Sequence, residues 1–91
     1  MIVFGVTITD AQVQACEQVM TRPSFDINEV IRAAREAGVP EHAKVRDRIL
    51  GYMRTEALAD RVADRLIQRA RKSGRIVRQG RSWKAAHLET T

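Results

Sequence analysis

The sequence predicts a small α+β domain of about four helices, with a short N-terminal strand and a C-terminal β-hairpin. Three observations predict it. The first eight residues are rich in β-branched side chains. Apolar residues then recur at helical spacing, in stretches opened by capping residues and closed by glycine or proline. Near the end, two short runs face each other across Gln79-Gly80. The 91 residues, 44% hydrophobic and 30% charged, have an ordinary globular balance and fill one domain, residues 1–91. A chain of this size buries only about two-thirds of its unfolded surface, so its core is small.

Residues 1–8 read as the N-terminal strand, and 9–74 as the helical part. Thr9 caps the first helix, and Gln12 stands at the capping-box distance. Val13, Cys16, Val19 and Met20 form its apolar stripe, and Arg22-Pro23-Ser24 ends it. Asp26 caps the second helix, with Glu29 three residues on and Phe25 placed to staple onto Val30. Ile27, Val30, Ile31, Ala34 and Ala37 are its buried face, and Gly38 fits the left-handed position after its end. Residues 41–54 predict a third helix, because Val45, Ile49, Tyr52 and Met53 fall at i, i+4, i+7 and i+8. Tyr52 then belongs to the core. Thr55 caps a fourth helix, unless the third and fourth run on as one.

The fourth helix, about 55–72, is the most informative. Leu58, Ala59, Val62, Ala63, Leu66, Ile67 and Ala70 form a broad apolar face at 100° per residue. Arg54, Arg61, Arg65, Arg69 and Lys72 gather in a stripe beside it, and Asp60 and Asp64 point elsewhere. Gly74 ends the helix. The hairpin, residues 75–86, places Ile76 opposite Trp83, Arg78 opposite Arg81 and Arg75 opposite Lys84. Such like-charge pairs are destabilising unless an anion lies between them. The last residues, 87–91, are a frayed tail.

Charge divides the chain. Residues 1–43 carry three cations and six acids, a balance of −3; residues 44–91 carry thirteen cations and five acids, a balance of +8. Between Asp64 and Glu89 there is no acid, and eight of the intervening positions are Arg or Lys. A single-sign run of this kind points to a polyanionic partner. Arginine outnumbers lysine thirteen to three, which suits bidentate contacts to phosphate and guanine. The competing reading is a solvated helix whose arginines pair with Asp60 and Asp64.

Helices followed by a basic hairpin resemble the winged-helix branch of the helix-turn-helix families. Phe25 to Ala37 is similar to the positioning helix and Leu58 to Ser73 to the recognition helix. The segment Gly74-Arg75-Ile76-Val77-Arg78-Gln79-Gly80-Arg81-Ser82-Trp83-Lys84 resembles the wing. The resemblance implies a double-stranded DNA-binding protein, a small regulator of transcription of prokaryotic, phage or plasmid type; the single cysteine reads as that of a reduced, cytoplasmic protein. Its helix contacts would be Arg61, Arg65, Arg69 and Lys72, and its wing contacts Arg75, Arg78, Arg81 and Lys84. Homodimers on paired half-sites are usual for such regulators. Residues 39–54 depart from the pattern, standing where a short turn is usual. That departure leaves open a winged-helix module that binds a protein partner instead.

Other chemistry has little support. Cys16, the only cysteine, is too few for a disulfide framework or a thiolate zinc site, and reads as a small buried hydrophobe. His42 and His87 have no second ligand at metal spacing. Gly74 to Ser82 lacks the lysine and the helix of a phosphate-binding loop. Trp83 reads as core packing for the hairpin rather than a base-stacking group. The sequence therefore predicts no enzyme, no cofactor and no metal. Met1 to Val6 is too short for a secretory signal, and no apolar run is long enough for a membrane span.

Overall fold

Three helices carry the core: α1 (Asp10–Val19), α2 (Ile27–Glu36) and α3 (Leu58–Lys72). Three small antiparallel hairpins are attached to them. These pair β1 (Ile2–Val3) with β2 (Val6–Thr7), β3 (His42–Arg46) with β4 (Met53–Ala57), and β5 (Ile76–Gln79) with β6 (Ser82–Ala85). The computed structural model describes residues 1–88, ending in a 3-10 turn at Ala86–Leu88. Of the tail predicted at 87–91, residues 89–91 lie outside those described. No helix among the described residues is long and apolar enough to cross a membrane.

Local chemistry explains α1 and α2. The Thr9 side chain accepts from the Gln12 amide while the Gln12 side chain accepts from the Thr9 amide, so the capping box is complete. Asp26 accepts from the Glu29 amide at 3.0 Å. Gly38, with φ of +97°, follows the end of α2. Val13, Cys16 and Val19 from α1, Val30 and Ala34 from α2, and the predicted apolar face of α3 all meet in one buried cluster. Phe25 joins it and anchors the C-terminal hairpin, exchanging both backbone hydrogen bonds with Trp83 at 2.9 and 2.8 Å. Trp83 itself is buried, as packing rather than as an exposed ring.

Four predictions of local structure are corrected. The N-terminal strand over 1–8 is a tight hairpin: Phe4 and Gly5 both have positive φ, as a type I′ turn requires. The third helix predicted at 41–54 is the β3–β4 hairpin, so the described residues hold three α-helices. His42-Ala43-Lys44-Val45-Arg46 alternates polar and apolar, the strand period, and only Ala43 in this arm is buried. Tyr52 is accordingly exposed, not core.

The fourth predicted helix starts at Leu58 rather than 55, because Thr55 pairs with Lys44 in the arm. No side chain caps it; the Leu58 amide donates to the Glu41 carbonyl at 2.8 Å, across the base of the arm. The C-terminal hairpin has a different register from that predicted. Ile76 faces Ala85, Val77 faces Lys84, Arg78 faces Trp83 and Gln79 faces Ser82. The turn is Gly80-Arg81, with Gly80 at φ of +61° in the first central position, where a type II′ turn places glycine. Arg78 does not face Arg81, nor Arg75 Lys84, so the predicted like-charge clash is absent.

Candidate nucleic-acid interface

The cations of α3 and the hairpin do not form one uniform ridge. Along one flank of α3 they meet β1 and β2: the Arg61 guanidinium lies 5.5 Å from the centre of the Phe4 ring, and Arg65 donates to the Ile2 carbonyl at 3.4 Å. A shallow cleft beside Met1 brings Arg65, Arg69 and Lys72 together, with Asp64 and Gln68. A second cleft lies between α3 and the hairpin. Gln68 and Arg71 line one side of it and Val77, Arg78 and Trp83 the other. Gln68 lines both clefts, so the C-terminal half of α3 has cations on both sides of it.

Of the two acids of α3, Asp60 keeps apart from that half, while Asp64 borders the first cleft. Asp60 and Asp64 line a groove at the start of α3 with Ile27, Glu56, Ala57 and Arg61. Neither forms an ion pair among the described residues. Asp60 in the first turn and the cations in the last also complement the helix macrodipole, so that part of the polarity has a structural cause as well. What the dipole does not require is a second set of cations on the adjoining hairpin.

The eight predicted residues fare differently. Arg65, Arg69 and Lys72 are brought together and exposed. Arg61 is held over Phe4 and stands next to the acids. Arg78 lies 5.3 Å over the Trp83 ring and donates to the Gly80 carbonyl, so it closes the hairpin as well as lining the cleft. Arg81 occupies the exposed turn and Lys84 the outward face of β6, paired with Val77. Arg75 is engaged: its guanidinium pairs with Glu17 of α1. Arg54, predicted in the α3 stripe, sits on β4 and pairs with Glu56 and Asp47.

Four basic residues escaped prediction. Arg71 falls off the helical stripe yet faces the hairpin across the second cleft. Lys44, Arg46 and Arg48 lie on the β3–β4 arm and its loop, which the helical reading of 41–54 concealed. Period-two alternation over 42–46 was the available signal. Comparison with protein-family models, curated proteins and solved structures found no match.

Proposed function

We propose that the chain binds double-stranded DNA through the C-terminal half of α3 and the β5–β6 hairpin. The observation that carries this is the gathering of Arg65, Arg69 and Lys72 on one side of Gln68 and of Arg71 and Arg78 on the other. Duplex DNA carries a charge about every 1.7 Å of its axis, so guanidinium groups one helical turn apart reach successive phosphates. Arg81 and Lys84 extend the set along the hairpin.

The β5–β6 hairpin directly after α3 favours the winged-helix resemblance, with β5–β6 as the wing and α3 as the recognition helix. The β3–β4 arm then stands where that family has a turn. Recognition helices usually read bases with their N-terminal residues. Here Asp60 and Asp64 disfavour close phosphate approach at that end, so the contacts lie further along α3. In this reading the protein is a small regulator, and any sequence preference comes from α3 while the wing fixes position on the backbone.

The test is binding to random duplex DNA at several salt concentrations, read by fluorescence anisotropy. With about six phosphates neutralised, log K falls against log[salt] with a slope of about −5. Arg65→Glu with Arg69→Glu abolishes binding while circular dichroism is unchanged. An unaltered affinity in that variant removes the proposal. A salt-insensitive complex with a protein, and none with DNA, favours the interaction module instead.

A further inference from the structure

The β3–β4 arm exposes the four most accessible large apolar side chains of its region: Ile49 (93%), Leu50 (68%), Tyr52 (53%) and Met53 (50%). The loop backbone that carries Ile49 and Leu50 is held in place. The Asp47 carboxylate accepts from the Ile49 and Leu50 amides at 2.9 and 2.7 Å, and its carbonyl accepts from the Gly51 amide at 2.9 Å. Gly51 adopts φ of +76°, a conformation costly to other residues. Arg46 donates to the Gly51 carbonyl at 3.1 Å, tying the loop to the strand. Such a turn presents Ile49 and Leu50 at the end of an arm whose five-residue strands are about 17 Å long.

The arm also sorts its charges. Its two acids, Asp47 and Glu56, both pair with Arg54. The register puts Lys44 and Arg46 on the face opposite Arg54, and Arg48 follows in the loop. None of these three meets a carboxylate among the described residues. Lys44 donates to Thr55 and Arg46 to Gly51, which leaves further donors on each.

An apolar tip flanked by unneutralised cations fits a surface that is anionic outside and apolar between its layers, which describes stacked base pairs behind phosphates. A second copy of the same arm fits poorly, because it would bring three cations against three. We propose that the β3–β4 arm enters the DNA minor groove. Ile49 and Leu50 wedge against a base step, and Lys44, Arg46 and Arg48 hold the flanking phosphates. The inference rests on the DNA-binding reading above and adds a bend to it, since apolar wedges of this kind kink a duplex by about 20–90°.

The test pairs two readouts on the full chain: duplex bending by end-to-end fluorescence energy transfer, and unstacking by 2-aminopurine placed within the site. Wild type bends the duplex and brightens the 2-aminopurine. Ile49→Ser with Leu50→Ser loses both signals, weakens binding about 10-fold to 100-fold, and keeps the salt slope. Lys44→Ala with Arg46→Ala lowers the slope by about two. Wild type that binds DNA with neither bend nor unstacking overturns the wedge and leaves the α3 site standing. Wild type that binds no DNA overturns both. A wild-type dimer that the serine variant splits, with bending unchanged, shows the tip to be a contact between copies and overturns the wedge. So does tip-dependent flotation with phosphatidylserine vesicles in the absence of any bend.

Discussion

The three-helix core and the β3–β4 arm contain similar apolar residues and treat them oppositely. In the core, Phe25, Leu58, Leu66 and Val62 are enclosed, and among the described residues no polar or charged side chain is buried with them. In the arm, Ile49 and Leu50 are exposed and follow Arg48 in the loop. Core side chains are fixed by close packing with many neighbours. The tip backbone is fixed instead by amide hydrogen bonds to one carboxylate, Asp47. Apolar composition therefore does not locate the core of this chain; what encloses a residue does.

The largest effect separates the two regions by stability. Phe25→Ala removes an enclosed ring that also anchors the C-terminal hairpin, and costs about 3–5 kcal/mol in urea unfolding. Ile49→Ala buries nothing less and exposes nothing more, so it shifts the midpoint by no more than about 0.5 kcal/mol. Equal effects at the two positions would mean that the tip is packed, and the contrast would fail.

A second effect probes the enclosure of α1. Burial, aided by the neighbouring Glu17, pushes the Cys16 thiol up to about 11 from its ordinary 9.0. Its thiol donates only a long, weak bond to the Val30 carbonyl. The folded protein thus keeps the thiol neutral where the unfolded chain ionises it. The stabilisation is whole below pH 9 and declines between about 9 and 11, by about 1.4 kcal/mol for each step of one pH unit. Wild type should lose stability relative to Cys16→Ala over that window, and Cys16 should resist iodoacetamide at pH 8 until the protein is unfolded.

The same contrast explains what was legible in the sequence. The caps at Thr9 and Asp26 and the apolar face of α3 were legible because each is decided within a turn or two of chain. The arm was not. Val45, Ile49, Tyr52 and Met53 mimic a helical stripe, but Val45 and Met53 are strand positions facing Arg54 and Arg46, and Ile49 and Tyr52 belong to an exposed loop. Helical periodicity presupposes a core for the stripe to face, and here there is none. The hairpin register turned on one glycine taking the first place in the turn. For the site, the spacing of Arg65, Arg69 and Lys72 was legible, whereas the capture of Arg75 by Glu17 joins residues 58 apart and leaves no local trace. Arg71 was passed over for the same reason: its place beside the hairpin is a matter of tertiary packing.

The smallest effect tests whether the tip is held as described. Hydrogen bonds from the Leu50 and Ile49 amides draw the Asp47 carboxyl below its ordinary 3.8, against the opposing effect of desolvation and with a smaller contribution from Arg54. A carboxylate lowered in the folded state orders its surroundings at pH values above its unfolded pKa, and that order is lost as pH falls through the folded value. The carboxylate therefore keeps its two amide bonds until pH falls below its ordinary range. Amide shifts of Ile49 and Leu50, followed by nuclear magnetic resonance, should titrate together with a midpoint under 3.8, while those of Val62 and Leu66 in α3 stay put. A midpoint at or above 3.8 would show Asp47 to be an ordinary solvated acid. The two apolar side chains would then lack the rigid presentation that a wedge requires, because a flexible tip loses on ordering what it gains on insertion.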